Sequence, residues 1–263
     1  MKVLKFGGTS VGSSKNIQSV IAILEDYAKK ESVICVVSAV GGITDKLLLA
    51  GKQAQNKETD FRKTFESIKA IHLNIINELN PTKSESILSY VDFKLNELKN
   101  LLEGIFLINE LTPKTSDKLV SFGELLSAYI IAETMKNRGI SAAVKNSQEL
   151  VVTNSNFSKA EVNYAVTYKN IQDYFKTVSQ TITILPGFIA KSQLGEETTL
   201  GRGGSDFTAA MVAAALKVAK LEIWTDVSGM FTTNPKLVKQ AYPIQKISYQ
   251  EAMELSHFGA KVL

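Results

Sequence analysis

The sequence predicts an α/β protein built on a mostly parallel sheet, and three observations carry the prediction. The chain opens with a strand, a glycine turn and a helix, and repeats that succession before residue 50. Residues 33–38 are apolar almost throughout, as a strand buried on both faces requires. A third glycine turn, at 201–204, leads once more into a helix.

Taken in order, Lys2–Phe6 reads as a short strand that runs into Gly7-Gly8-Thr9-Ser10. The helix after it can be capped by Ser13 or Ser14, and Ile17, Val20, Ile21, Leu24 and Tyr27 recur at spacings of three and four. After the strand at 33–38, Gly41-Gly42 turns the chain into a helix starting near Thr44. Residues 58–110 are different in kind. Phe61, Phe65, Ile68, Ile71, Ile75 and Leu79 mark one amphipathic helix, Asn80-Pro81 breaks it, and Ile87, Leu88, Val91, Leu95, Leu98 and Leu102 mark another. This reads as a helical insertion with a structural role. Residues 116–138 form a helix ended by Gly139, and 140–144 a strand. Residues 181–189 read as one strand bent at Pro186-Gly187, with 198–200 as a short partner. Ser205 can cap a helix over 206–216. A strand over 221–225 opens into a polar loop at 226–235, and 249–258 is the last helix.

At 263 residues and 28.8 kDa the chain can hold one large domain or two small lobes. Its longest apolar runs, such as 33–37 and 211–216, are far too short to span a membrane. The start, Met1-Lys2-Val3-Leu4, has no apolar leader core, so a cytoplasmic location is expected. The formal charge of +4 comes from dispersed lysines, which argues for a solvated surface and against nucleic-acid binding. Cys35 is the only cysteine, lies in an apolar run and reads as a buried thiol. His72 and His257 stand far apart, and no His, Cys and carboxylate cluster has zinc-site spacing. Arginine occurs only at 62, 138 and 202, so Arg202 among glycines points to a need for a planar, two-pronged donor.

Four constellations bear chemistry. In Lys5-Phe6-Gly7-Gly8-Thr9-Ser10 a strand ends on a lysine, and small residues follow at a helix mouth, where backbone N–H groups and the helix dipole favour an anion. The order is not that of a Walker A loop, in which lysine follows the glycines. In Leu200-Gly201-Arg202-Gly203-Gly204-Ser205-Asp206, Arg202 can grip a carboxylate, Ser205 offers a hydroxyl, and Asp206 can hold nearby lysines. The stretch 224–236 is a strand emptying into hydroxyls and small residues, the usual ligand position of an open α/β sheet. Glu124, between Gly123 and Leu125, is an acid in apolar company and a candidate partner for a substrate ammonium.

Together these motifs resemble the aspartokinase family of the amino-acid kinase superfamily. The resemblance runs through KFGGTSVGS at Lys5, SAVGGITD at Ser38, DKLVSFGELLSA at Asp117, LPGFIA at Leu185, TTLGRGGSDFTAA at Thr198, WTDVSGMFTTNPK at Trp224 and FGAKVL at Phe258. It is weakest over 58–110. SYQEAMELSHFGAKVL is similar in particular to the kinase half of bifunctional aspartokinase–homoserine dehydrogenases. The resemblance implies a three-layer αβα sandwich with an eight-stranded, mostly parallel sheet. It implies one catalytic domain over 1–263, with the helical insertion at about 58–110, cut before C-terminal regulatory domains. The apolar ending Ala260-Lys261-Val262-Leu263 agrees with that expectation.

In function, the resemblance implies ATP-dependent phosphorylation of the L-aspartate β-carboxylate, the first step toward lysine, threonine and methionine. Lys5 and Lys261 would contact the transferring phosphate, organised by Asp206. Gly7, Gly8, Thr9 and Ser10 would line the phosphate site. Arg202 would bind the α-carboxylate and Glu124 the ammonium, with hydroxyl contacts from Thr44 and Ser205. Thr225, Asp226, Gly229, Phe231 and Lys236 would surround the nucleotide, which comes with Mg²⁺. Lys236 and Asn234 stand where the family usually has arginine and aspartate. The expected partners are L-aspartate and ATP, with neither nucleic acid nor membrane, and association into a homo-oligomer is left open. Two other readings stand beside this one: a kinase for glutamate or acetylglutamate, and a nucleotide-binding regulatory module without turnover.

Overall fold

The computed structural model describes residues 1–80, 82, 85–226, 229–234 and 237–257. The chain divides into two compact units, Met1–Trp224 and Thr225–Leu263.

The first unit is organised by a five-stranded sheet in the order β3 (Ala142–Val144), β5 (Ile182–Pro186), β2 (Val33–Val37), β1 (Lys2–Phe6), β8 (Leu221–Trp224). Every neighbouring pair is parallel. The central strands β2 and β5 are buried along their whole length, which is why Val33-Ile34-Cys35-Val36-Val37 has no polar alternation. The period of two still shows in where the side chains go. Leu4, Val33, Cys35 and Val37 enter one hydrophobic core, with residues of α1 (Ser14–Ala28), α2 (Ile43–Gln55), α3 (Phe61–Leu79), α4 (Glu85–Ile108) and α5 (Pro113–Asn137). Val3, Ile34 and Val36 enter a second, with α6 (Tyr164–Thr177) and α7 (Gly204–Ala215). The result is three αβα layers.

The eight-stranded sheet is not what forms among the described residues. Three of the eight strands make a separate sheet, β4 (Val152–Thr153), β6 (Ile189–Ser192) and β7 (Glu197–Thr199), parallel at β4–β6 and antiparallel at β6–β7. The bent single strand at 181–189 is likewise two strands in two sheets. Pro186 ends β5, the Gly187 N–H donates to the Val37 carbonyl at 2.8 Å, and Phe188 takes a left-handed φ of 68°. A Cβ at Gly187 would lie 2.7 Å from the Ser205 Cβ, so glycine is required for the chain to cross over α7.

Side-chain caps begin α1, α5 and α6. Ser13 caps α1 by accepting from the Asn16 N–H. Thr112 caps α5 the same way, with Pro113 at the first helical position, so this helix begins earlier than the hydrophobic period alone indicates. The helix α6, unread in the sequence, is capped by Asn163 and buries only Thr167, Ile171 and Phe175. The two helices expected within 58–110 are present as α3 and α4, joined by a bidentate Arg62–Glu103 pair at 2.7 and 2.8 Å. Cys35 is fully buried, and burial pushes its thiol pKa well up, consistent with a core thiol.

The second unit holds α8 (Tyr249–His257) and a bridge between Phe231 and Pro243. No described helix is long and apolar enough to cross a membrane.

Candidate functional site

A cleft of ≈ 720 Å³ opens in the first unit at the C-terminal ends of the parallel strands. Its walls are the turns that glycine makes possible. The β1–α1 and β2–α2 turns touch backbone to backbone: a Cβ at Gly8 would meet the Ala39 carbonyl oxygen at 3.1 Å, and one at Gly41 the Gly8 oxygen at 3.1 Å. Two helices present uncapped N-termini here. Gly42 precedes α2 at φ 77° and Gly203 precedes α7 at φ 72°, each without a side-chain cap. The first N–H of each helix closes its own turn, Ile43 on the Val40 carbonyl at 2.9 Å and Gly204 on the Gly201 carbonyl at 3.0 Å, and the dipoles of both helices favour an anion at these ends.

Seven of the sequence-derived residues line this cleft: Lys5, Gly8, Thr44, Glu124, Arg202, Ser205 and Asp206. Lys5, next to last in β1, reaches Asp206 in the first turn of α7 at 2.8 Å. The approach is that of an ion pair rather than an aligned hydrogen bond. A Cβ at Gly7 would lie 3.6 Å from the Lys5 Nζ, so glycine leaves space beside the ammonium. Gly7, Thr9 and Ser10 shape the same turn without lining the cleft; the Ser10 N–H closes it on the Gly7 carbonyl at 3.0 Å. Ser205 is not the cap of α7. It sits inside the helix, buried against Gly187, and Gly203 at positive φ ends the turn in its place. Arg202 is exposed on that turn, between Gly201 and Gly203.

Glu124 is carried by α5, which comes close because residue 123 is glycine: a Cβ there would lie 2.8 Å from the Ala39 Cβ. Glu124 is buried, and its Oε2 has no hydrogen-bond partner. Burial pushes its pKa up to about 8, against the pull of the Ala39 backbone N–H. An unpartnered carboxylate oxygen at this depth is a cation site in electrostatic terms.

The structure adds residues that the sequence reading did not single out. Asp45 comes directly after Thr44 at the start of α2, and Phe188 and Thr199 border the Arg202 turn. Asp117, two helical turns before Glu124, is buried and accepts the Ser158 N–H at 2.8 Å, the Thr199 N–H at 3.0 Å and the Thr199 hydroxyl at 2.8 Å. Burial raises its pKa, and these three donors pull it back. Its signal in the sequence was the spacing of seven from Glu124, which puts both acids on one helix face.

In the second unit, the Thr225 hydroxyl donates to Asp226 at 3.0 Å and Gly229 has φ 96°. Phe231 forms the bridge to Pro243, and the Asn234 carbonyl accepts from the Leu237 and Val238 N–H groups at 3.0 Å each. Lys236 and Lys261 lie outside the described residues.

The family described as "Amino acid kinase family" matches over residues 1–263. The chain is 37% identical to aspartokinase 1, chloroplastic, of Arabidopsis thaliana, a match covering 99% of this chain and 46% of that protein. It is 35% identical to the bifunctional aspartokinase/homoserine dehydrogenase of Buchnera aphidicola, covering 100% of this chain and 33% of the relative. The crystal structure of Escherichia coli aspartokinase III in complex with aspartate and ADP superposes with a TM-score of 0.89 at 32% identity, over 100% of this chain and 57% of that one. The chain thus spans about half the length, or less, of the curated relatives it matches.

Proposed function

The chain belongs to the amino acid kinase family, and from that premise we propose that it transfers the γ-phosphoryl group of ATP to the β-carboxylate of L-aspartate, giving 4-phospho-L-aspartate. The observation that carries this reading is the charge arrangement of one cleft. Arg202 is exposed in it, Glu124 offers it a buried carboxylate oxygen without a partner, and the Lys5 ammonium is held 2.8 Å from Asp206. Aspartate carries two carboxylates and one ammonium. Arg202 takes the α-carboxylate by its fork, Glu124 takes the ammonium, and Thr44 and Ser205 add hydroxyl contacts. The β-carboxylate is left facing the phosphate. It is ionised at neutral pH and attacks without a general base.

Catalysis is then positioning and charge neutralisation. Asp206 holds Lys5 in place through an ion pair that leaves its N–H donors for a phosphate oxygen. The dipoles at the N-termini of α2 and α7, which lack side-chain caps, favour the same developing charge. Lys261 is proposed as the second cation at the phosphate. Thr225, Asp226, Gly229, Phe231 and Lys236 are proposed to hold the nucleotide. Mg²⁺ enters bound to the ATP phosphates, as part of that substrate. The complex of the E. coli enzyme with aspartate and ADP supports this choice of substrates, and relatives joined to homoserine dehydrogenase support the place at the head of the lysine, threonine and methionine route. A cytoplasmic site of action belongs to the same proposal.

The test is ADP release by the full chain with Mg-ATP and a panel of L-aspartate, L-glutamate and N-acetyl-L-glutamate. Turnover selective for aspartate is expected. Equal or faster ADP release with glutamate or acetylglutamate would overturn the substrate. Nucleotide binding with no ADP release from any acceptor would leave a silent nucleotide-binding module.

A further inference from the structure

Asp117 is a buried carboxylate in the cleft to which the proposed chemistry gives no task. Its three donors come from two segments outside α5. Ser158 lies in the loop after β4, and Thr199 ends β7. Both segments flank the turn that carries Arg202. Thr199 runs into Leu200-Gly201-Arg202, and the Ser158 carbonyl oxygen lies 3.4 Å from where a Cβ on Gly201 would stand. Ser158 itself has φ 70°, a conformation that a serine keeps only when its surroundings hold it, and its N–H is bound by Asp117. On the other side, Asp117 shares a rigid helix face with Glu124, seven residues on.

We propose that Asp117 is a positioning residue for the amino-acid subsite: by gripping Ser158 and Thr199, it fixes the Gly201-Arg202 turn against the helix that carries Glu124. The separation of the two groups that receive the substrate's α-carboxylate and ammonium is thereby set by a third group that touches neither. The proposal rests on the aspartate-kinase reading. What matters at residue 117 is an oxygen that accepts two backbone N–H groups, and the negative charge is secondary. An asparagine at this position keeps that oxygen, and the Thr199 hydroxyl can reverse to accept from its amide. Alanine removes it.

Full-length variants are compared in steady-state kinetics and in amide hydrogen exchange. Asp117→Ala is expected to raise the KM for aspartate roughly ten- to a hundredfold, the scale of small misplacements in a site, while the KM for ATP moves less than about threefold. Asp117→Asn is expected to return the aspartate KM to within about threefold of wild type. Ser121→Ala removes a different α5–β7 bond, the Ser121 hydroxyl to Glu197 at 2.9 Å, and is expected to leave the KM unchanged. The proposal is overturned if Asp117→Ala leaves the aspartate KM alone, if asparagine behaves as alanine, or if Ser121→Ala has the same effect. Should Asp117→Ala fail to fold, Asp117→Glu moves the accepting oxygen by one methylene, and an unchanged KM for aspartate there overturns the proposal. If wild type does not turn over aspartate, it is the functional reading that fails. Exchange still decides the inference: faster exchange over 199–203 in Asp117→Ala, with unchanged rates in α1, supports the anchor, and unchanged exchange over 199–203 overturns it.

Discussion

Lys5 and Asp206 come from opposite ends of the first unit and meet at 2.8 Å, and the charge logic of the cleft starts with that pair. Replacing Lys5 with alanine removes one preorganised donor and is expected to lower kcat roughly 10²- to 10³-fold. Asp206→Ala leaves the ammonium present but unguided, and a loss of about tenfold to a hundredfold is expected. Both variants should keep the wild-type circular dichroism spectrum, and normal turnover in either would remove that residue from the mechanism. Glu124 makes a prediction about pH. Its pKa is pushed up to about 8, so in the empty cleft at neutral pH most molecules carry it protonated. An incoming ammonium needs the ionised form, so aspartate affinity should rise with pH and level off above about 8. In Glu124→Gln the affinity should be weak and lose this dependence; calorimetric titration of aspartate from about pH 6 to about pH 9, spanning the raised pKa, reads both. Stability has the opposite sign. The folded protein holds a proton on Glu124 that the unfolded chain releases near 4.5, so this group's contribution to stability falls as pH rises from there to about 8. Glu124→Gln should flatten that part of the stability profile in urea unfolding.

At the scale of elements, glycines decide how closely helices approach the sheet. Gly123 lets α5 lie against Ala39 at the end of β2. A methyl there would stand 2.8 Å from the Ala39 Cβ, and Gly123→Ala should cost about 1–3 kcal/mol of stability by overpacking. It should also raise the KM for aspartate, because Glu124 moves with the backbone. A melting curve and an aspartate titration check the two halves; full stability with unchanged KM would refute the close approach. The elements that the sequence made legible share a property. The strands β1 and β2 and helices α1, α3 and α4 bury long regular faces, such as Phe61, Phe65, Ile68, Ile75 and Leu79 on α3, so their period is written in full. By contrast α6 buries Thr167, Ile171 and Phe175 alone, and β4 is two residues long. Neither leaves enough periodic signal to read. Pro186-Gly187 was legible as an interruption. The course of the chain beyond it was not, because the change of sheet is set by where Ser205 and Val37 receive Gly187.

At the scale of the whole molecule, ligand binding and folding are linked. If aspartate and Mg-ATP bind the folded chain, saturating either at a hundred times its dissociation constant should add about 2.7 kcal/mol to unfolding, seen as a raised melting temperature. Glutamate at the same concentration should add much less. The sequence by itself determined the parallel α/β class, the two helices within 58–110 and the residue types of the candidate site, because hydrophobic period, glycine turns and local charge are properties of neighbours in the chain. It did not determine that the eight strands among the described residues split into sheets of five and three, that Ser205 packs against Gly187 in place of capping α7, or that Asp117 accepts from Ser158 and Thr199. Those outcomes depend on which distant backbone groups come within hydrogen-bonding or contact distance. Such distances exist only after the layers have packed, so the tertiary structure alone decided them.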